Sequence, residues 1–293
     1  MKILENYPEN LKKSSLILGF FDGVHLGHRE VIMSAVNYAK KNNSISVLLT
    51  FKKSPSEYFG KKSELIYPRL YSYKLMEAIG VDYVIESDFE DLASITAKDY
   101  LENLINTFEP ISISTGFNHT FGHKKEGNNE FLKSAEEKYG YKYFKIPPYK
   151  YEGEIVSSTL IKNLISSGNL AKANKTLGEP FTVSGEVVNG QKLGRKLGFP
   201  TANINYPEGI VRLPYGVYKG ESLGHPAVIN WGIKPTVSGK EECLEVHIID
   251  FDKDLYGKIL SVKIMDKIRS EQKFNSLENL KSQIKRDVES CLK

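Results

Sequence analysis

Ten consecutive residues near the N-terminus carry the side chains and the glycines that phosphate chemistry uses: Gly19-Phe20-Phe21-Asp22-Gly23-Val24-His25-Leu26-Gly27-His28. They follow a short apolar run, Leu16-Ile17-Leu18, and lead into a segment with helical periodicity. Strand, tight glycine turn and helix start is the geometry of a phosphate site. Glycines let the backbone approach a polyphosphate, and N–H groups at a helix N-terminus point at the anion. His25 and His28 place donors where negative charge grows during phosphoryl or nucleotidyl transfer. The plain alternative is a βα turn that happens to hold two histidines. A bare Gly-x-x-Asp-Gly would leave that alternative standing, and the added His-x-Gly-His weighs against it.

A second stretch of the same kind is Gly190-Gln191-Lys192-Leu193-Gly194-Arg195-Lys196-Leu197-Gly198-Phe199-Pro200-Thr201-Ala202-Asn203. It is no Walker A loop, because no Gly-Lys-Ser/Thr ends it. It still combines glycines, basic side chains, and a hydroxyl and a carboxamide on one strand face. The oxygens of Thr201 and Asn203 are hard ligands suited to Mg²⁺ between phosphates. An exposed basic hairpin loop before an ordinary strand is the competing explanation. Further on, Asp250, Asp252 and Asp254 resemble the start of a calcium loop, but Leu255 stands where glycine is needed and Ser261 where glutamate is needed. Glu245 is the stronger acidic candidate. It lies in Leu244-Glu245-Val246-His247-Ile248 and could accept a proton from an attacking hydroxyl. Taken alone it reads rather as a surface glutamate.

The first candidate site needs a scaffold that brings strand ends together. Candidate strands are Ser15–Leu18, Ile45–Phe51, Val81–Ile85, Ile111–Thr115 and Tyr141–Ile146. Helical spacing between them places Val31, Ile32, Ala35, Val36 and Ala39 on one face, and Tyr100, Leu101, Leu104, Ile105 and Phe108 on another. Thr96-Ala97-Lys98-Asp99 reads as a helix start. This βαβ alternation predicts a parallel sheet covered on both faces, with ligands beyond the carboxyl ends of its strands. Three further segments fall at such ends: Thr50-Phe51-Lys52-Lys53-Ser54-Pro55, Gly116-Phe117-Asn118-His119-Thr120-Phe121-Gly122, and Ser157-Ser158-Thr159-Leu160-Ile161-Lys162. The three hydroxyls of the last could be no more than a helix cap. Opposite the histidine turn they could instead bind phosphates, with Lys162 one turn into the helix.

A second helical stretch runs from Asn169 to Leu177, and Gly178-Glu179-Pro180 marks a boundary. Domains of 1–179 and 180–293 are expected. Beyond Pro180 short strands recur at Phe181–Val188, Ala202–Tyr206, Gly216–Glu221, Ala227–Gly232, Leu244–Phe251 and Leu260–Met265, which predicts an antiparallel barrel or sandwich. A last helix starts near Ser276, and the lone Trp231 reads as core.

Bulk properties restrict the function further. A chain of 293 residues with net charge +4 and no low-complexity tract suits two globular domains. Its lysines are spread along the sequence rather than gathered in a stripe, so a nucleic-acid partner is not expected. The apolar runs are too short for a membrane span. Met1-Lys2-Ile3-Leu4-Glu5-Asn6 is polar too early for a signal peptide. Cys243 and Cys291 lack metal spacing and read as unpaired thiols in a reducing compartment, with the cytoplasm as the default.

In their order and spacing, Gly19–His28, Thr50–Pro55, Gly116–Gly122 and Ser157–Lys162 resemble the adenylyltransferase module of prokaryotic bifunctional riboflavin kinase/FAD synthetases. Gly194–Asn203, Leu213–Tyr218, Asn230–Thr236, Glu245–Ile248, Asp250–Gly257 and Ile268–Phe274 resemble its riboflavin kinase module. The resemblance implies an α/β fold class: a nucleotidyltransferase-like, Rossmann-type parallel sheet, then a six-stranded antiparallel barrel with a terminal helix. It implies that Gly19, Phe20, Asp22, Gly23, His25, Gly27 and His28 hold ATP, with Ser157, Ser158, Thr159 and Lys162 completing the site and Asn118 beside FMN and the phosphates. In the kinase half, Gly194, Lys196, Gly198, Pro200, Thr201 and Asn203 would bind ATP, with Thr201 and Asn203 on Mg²⁺. Glu245 would be the base for the ribityl 5′-hydroxyl, Arg269 would lie in the flavin-side loop, and Asp250–Gly257 would form part of a flap. The implied partners are riboflavin, FMN and ATP, with a homo-oligomer open. Four positions depart from the family pattern. Ser54 replaces a histidine, Lys162 an arginine, His119 a common aromatic, and Trp231 an isoleucine. Ser54 and Lys162 motivate one alternative, a riboflavin kinase with a weak or inactive adenylyltransferase module. A non-catalytic flavin-binding regulator is the other.

Overall fold

The computed structural model describes residues 1–5, 11–190, 193–236 and 239–292, with the backbone alone at 193, 196, 234–236 and 239–241. Contacts divide the chain into two compact units: Met1–Glu64 with Pro68–Ser158, and Leu65–Tyr67 with Thr159–Lys293.

The first unit is built on a six-stranded parallel sheet. Its strands lie in the order Lys2–Leu4, Tyr83–Ser87, Ser46–Phe51, Ser15–Leu18, Ser112–Gly116, Lys142–Ile146. Alternating side chains feed two separate cores, as a sheet covered on both faces requires. Leu16, Leu18, Val47, Leu49, Ile85 and Ile113 pack against Leu101, Leu104 and Phe108 of helix Ala97–Phe108 and Leu132 of helix Asn129–Tyr139. Ile17, Leu48 and Val84 pack against Val31, Ile32 and Val36 of helix Leu26–Lys41 and Tyr73 and Met76 of helix Arg69–Ile79. Thr96 caps helix Ala97–Phe108, its hydroxyl accepting from the Asp99 N–H at 3.1 Å. The five expected strands are present to within about two residues at their ends. The sixth, Lys2–Leu4, is a three-residue edge strand whose partner, Tyr83–Ile85, is some eighty residues away, so no local pattern announces it.

The second unit is a closed antiparallel barrel in the order Phe181–Val188, Ala202–Ile204, Gly239–Ile248, His225–Thr236, Gly216–Ser222, Ile259–Arg269. Closure removes the exposed edges that an open sheet would present. Trp231 is fully buried, as expected, and its indole N–H donates to the Leu213 carbonyl at 3.0 Å. Helix Leu277–Cys291 is capped by Ser276. Two helices expected with the first domain, Ser158–Ser166 and Leu170–Leu177, group by packing almost entirely with the barrel. The side chain of Asn174 accounts for part of this. It donates to the carbonyls of Ile264 and Met265 and accepts from the Phe181 N–H at 2.8 Å. Leu65–Tyr67 also belongs here, through a bridge from Leu65 to Ile210 and the Tyr67 ring stacked on Phe181.

Candidate active sites

Strand register brings the segments of the first site to one sheet edge. Leu18 is the partner of both Leu49 and Thr115, so Gly19, where the first chain segment leaves the sheet, lies level with Thr50 and Gly116 near the carboxyl ends of the two neighbouring strands. The Gly19 N–H donates to the Leu49 carbonyl at 3.3 Å. After Phe21 the backbone turns through two left-handed residues, Gly23 at φ 82° and Val24 at φ 42°. Such a conformation is ordinary for glycine and rare for a β-branched residue, and sparsely populated backbone of this kind gathers at ligand sites. Val24 is held there by burial and by Arg29, whose Nε donates to its carbonyl at 3.0 Å. The Ser158 hydroxyl, at the start of its helix, donates to the Asp22 carbonyl at 3.0 Å and ties the hydroxyl segment to the turn. Ser157 precedes it, half-buried, while Thr159 and Lys162 continue the helix within the second unit.

His25 caps helix Leu26–Lys41, its Nδ1 accepting from the His28 N–H at 3.3 Å. That bond fixes the tautomer of the neutral ring, so the proton of His25 sits on Nε2. The two imidazoles stack, with centroids 3.6 Å apart and planes inclined by 21°, and Phe21 meets His28 edge-on at 5.2 Å. A Cβ on Gly27 would lie 3.3 Å from the His25 ring, so glycine there lets the imidazole fold back over the helix start. Burial pushes the His25 pKa down to about 4, and burial together with its neighbour His25 holds His28 well below its ordinary value. Both rings are therefore neutral at pH 7, and His28 Nδ1 is buried with no hydrogen-bond partner among the described residues. A pair of neutral imidazoles packed against apolar rings can donate N–H groups to a polyphosphate without first being stripped of a proton.

Asn118 is exposed, in the loop that leaves Gly116 at the same edge. Ser54, where the family pattern has histidine, is buried and caps the short helix Pro55–Tyr58, its hydroxyl 2.7 Å from that of Ser56. Sequence reasoning missed the aromatic group beside it. Tyr58 and Phe59 are 49% and 65% exposed, and their ring centroids lie 5.2 and 5.9 Å from that of Phe89, which meets Phe51 at 5.2 Å. The signal was present as two adjacent aromatics after Ser54-Pro55, a place where the pattern drew attention to the missing histidine instead.

In the barrel the candidate residues stand in a row across three paired strands. Asn203 faces Glu245, and Glu245 faces Asn230. The Asn230 Nδ2 donates to Glu245 Oε2 at 3.2 Å, which aims the carboxylate. Asn230 was read in the sequence only as part of a motif. The Asn203 carboxamide is buried, accepts from the Cys243 thiol at 3.3 Å, and lies where a Cβ on Gly190 would have to be. Ahead of it the expected loop contains a short helix, Leu193–Leu197. Gly198 ends that helix at φ 90°, and a Cβ on Gly194 would strike the Phe199 carbonyl at 2.3 Å. The Lys196 side chain lies outside the described residues, as do Gln191 and Lys192. Arg195, Pro200 and Thr201 line a cleft together with Lys253, Asp254 and Tyr256. Oxygen donors from Thr201 and Asn203 fit a hard cation shared with phosphates. Among the described residues no group of three His, Cys, Asp or Glu side chains is placed to hold a metal.

Arg269 is already engaged. Its guanidinium grips the buried Asp287 of helix Leu277–Cys291 with contacts of 3.1, 3.1 and 2.8 Å, and also donates to the Ser270 carbonyl at 3.1 Å. A bidentate pair of this kind fixes the loop that follows the last strand.

A parallel-sheet unit with a histidine turn at its strand ends, followed by a closed barrel with one carboxylate between two carboxamides, defines a two-module enzyme of nucleotide chemistry. The family model described as FAD synthetase matches residues 7–160, and that described as riboflavin kinase matches residues 177–293. A bifunctional riboflavin kinase/FMN adenylyltransferase of Haemophilus influenzae is 35% identical over 298 residues, covering 98% of this chain and 96% of its own. The protein of the same description from Escherichia coli K12 is 36% identical over 281 residues, with 93% and 90% covered. A solved structure from Streptococcus pneumoniae, described as a macrolide-efflux protein, superimposes with a TM-score of 0.87 at 31% identity and covers 99% of this chain and 98% of its own. The chain belongs to the bifunctional riboflavin kinase/FMN adenylyltransferase family. Among the described residues no helix is long and apolar enough to cross a membrane.

Proposed function

We propose that the protein makes FAD from riboflavin in two ATP-dependent steps, each in its own module. The functional division falls at 179/180, so that Lys162 serves the first module. What carries the reading is two unlike phosphate-directed sites in one chain whose halves match two different flavin-enzyme families. A riboflavin kinase with a weak or inactive adenylyltransferase module, or a non-catalytic flavin-binding regulator, accounts for only part of this.

In the barrel the 5′-hydroxyl of riboflavin attacks the γ-phosphorus of ATP. Its proton passes to Glu245, a new P–O bond forms, and the bond to ADP breaks, giving FMN. Asn230 holds the carboxylate in place for that transfer. Thr201 and Asn203 would hold Mg²⁺ with the ATP phosphates, and the ion supplies charge neutralisation there. In the sheet unit a phosphate oxygen of FMN attacks the α-phosphorus of a second ATP, and pyrophosphate leaves. His25 Nε2–H and the His28 imidazole donate to the oxygens that gain charge, while Gly19, Phe20, Asp22, Gly23 and Gly27 shape the turn around them. Ser157, Ser158, Thr159 and Lys162 complete this nucleotide site. Asn118 contacts the FMN phosphate, and the rings of Tyr58, Phe59 and Phe89 offer the isoalloxazine an aromatic face. We place the enzyme in the cytoplasm, acting on small molecules rather than nucleic acid.

The test is to supply purified protein with riboflavin, MgATP and time and to separate the flavins. FMN should form first and FAD follow. No FMN sinks the kinase assignment, and FMN without FAD sinks the adenylylation assignment alone.

A further inference from the structure

We infer that Asn129 is a positioning residue for adenylyl transfer, locking the Gly116–Asn118 turn from below so that Asn118 meets FMN. The inference rests on the assignment of the sheet unit as the adenylyl-transfer site. Asn129 is the first residue of helix Asn129–Tyr139 and is only 4% exposed. Capping of that helix falls to its neighbour Asn128, whose Oδ1 accepts from the Phe131 N–H at 2.9 Å. The Asn129 carboxamide is thus left to do something else.

Its two ends do different work. Nδ2 donates to two successive carbonyls at the end of strand Ser112–Gly116, those of Gly116 at 3.3 Å and Phe117 at 2.6 Å. Oδ1 accepts from the Thr115 hydroxyl at 3.0 Å and the Tyr143 hydroxyl at 2.8 Å. Those hydroxyls are themselves 2.7 Å apart, and both residues are buried. A carboxamide has two donors and two acceptor lone pairs, so all of its capacity is used. Burial raises the Tyr143 pKa, which keeps the phenol a neutral donor.

A buried carboxamide engaged at both ends specifies one arrangement, because any other leaves a buried group unpaired. Here that arrangement is a turn. The Gly116 carbonyl that receives Asn129 also receives the His119 N–H at 3.2 Å, so residues 116–119 close on a point Asn129 holds fixed. Asn118, exposed at the tip, inherits its direction from this anchor. Asn129 itself touches no substrate.

Asn129→Asp keeps the side chain's size and its acceptors but removes both donors to the turn. In the full-length protein its KM for FMN should rise about 10-fold, the equivalent of a buried hydrogen bond of ordinary net strength. The KM for ATP in the same reaction and the riboflavin kinase rate should stay near wild type. Amide exchange at His119 should accelerate while that of Ile113 and Ser114 within the strand stays slow, a signature that general loosening of the unit would not give. Tyr143→Phe, which leaves both donors in place, should raise the KM for FMN by less than about 3-fold. An Asn129→Asp enzyme with wild-type KM for FMN and wild-type His119 exchange overturns the inference. Wild-type protein that forms no FAD overturns both the inference and the assignment beneath it. If Asn129→Asp does not fold, the KM for FMN and His119 exchange are measured on Asn129→Ser, which keeps one donor. A rise in both supports the inference, and wild-type values of both overturn it.

Discussion

In the sheet unit the candidate side chains leave a strand end through a turn that is left-handed at Gly23 and Val24. In the barrel, Asn203, Glu245 and Asn230 are facing partners on three hydrogen-bonded strands. The first arrangement depends on backbone conformations that hold only while the surrounding packing enforces them. The second depends on strand register, which cannot slip without turning a whole face of the barrel inside out. The turn can approach a polyphosphate closely with N–H groups and imidazoles. The strand row holds one carboxylate to one direction.

If the two sites are separate machines, the largest single effect comes from removing the base proposed for the barrel. Glu245→Gln keeps the contact to Asn230 and loses only proton acceptance. Riboflavin phosphorylation should fall by roughly 10²–10⁴-fold, the usual worth of a general base. FAD formation from supplied FMN should stay unchanged. Parallel assays with riboflavin and with FMN check this, and a joint loss of both activities would break the comparison at its root.

How each site could be read from the sequence follows from the same difference. The turn was legible because its glycines, histidines and helix start are contiguous, and Gly23 and Gly27 sit where a side chain would be strained or crowded. The barrel row was legible in part. Glu245 alternates with apolar neighbours, but nothing local says that Asn230 will face it from the adjacent strand. Contacts that join distant segments left no local pattern at all. The Arg269–Asp287 pair, the Asn129 anchor with Thr115 and Tyr143, and the assignment of Leu65–Tyr67 to the second unit are all of this kind. Ser54 shows the converse. The sequence marked it as a lost histidine, and the fold uses it as a helix cap.

Acid should separate the two units by a smaller margin. His25 is 3% exposed and titrates at about 4 when folded, against an ordinary value of 6.5. Above pH 6.5 the ring is neutral in both states and contributes nothing. Between pH 6.5 and about 4 the unfolded chain takes up a proton that the folded chain refuses, so stability is lost as pH falls, and below 4 the loss levels off. That shift corresponds to about 3 kcal/mol, and His119, also lowered to about 4 by burial, acts in the same direction. In the second unit His225 and His247 are only partly buried. Trp231, the single tryptophan, is buried in the barrel and its fluorescence therefore follows that unit alone. Unfolding scans from pH 7 to 4 should show amide protection in the sheet unit failing at progressively lower temperature, with the Trp231 transition moving less. A Trp231 transition that moves as far as the sheet unit's would mean that histidine burial does not distinguish them.

The smallest effect expected concerns what the sheet unit offers besides phosphate contacts. Phe59 is 65% exposed and lies against Phe89, so trimming it leaves no buried cavity and should not disturb the fold. An aromatic contact of this kind contributes about 0.5–1.5 kcal/mol beyond area burial. Phe59→Ala should accordingly raise the KM for FMN by about 2- to 10-fold while leaving the KM for ATP and the riboflavin kinase reaction alone. Adenylylation kinetics with FMN varied at saturating ATP provide the measurement. A rise in the KM for ATP instead would place the aromatic group on the nucleotide side of the turn. In that case the neutral histidine pair and the rings of Tyr58, Phe59 and Phe89 would serve the same substrate, and the flavin would have to be held from the Asn118 side alone.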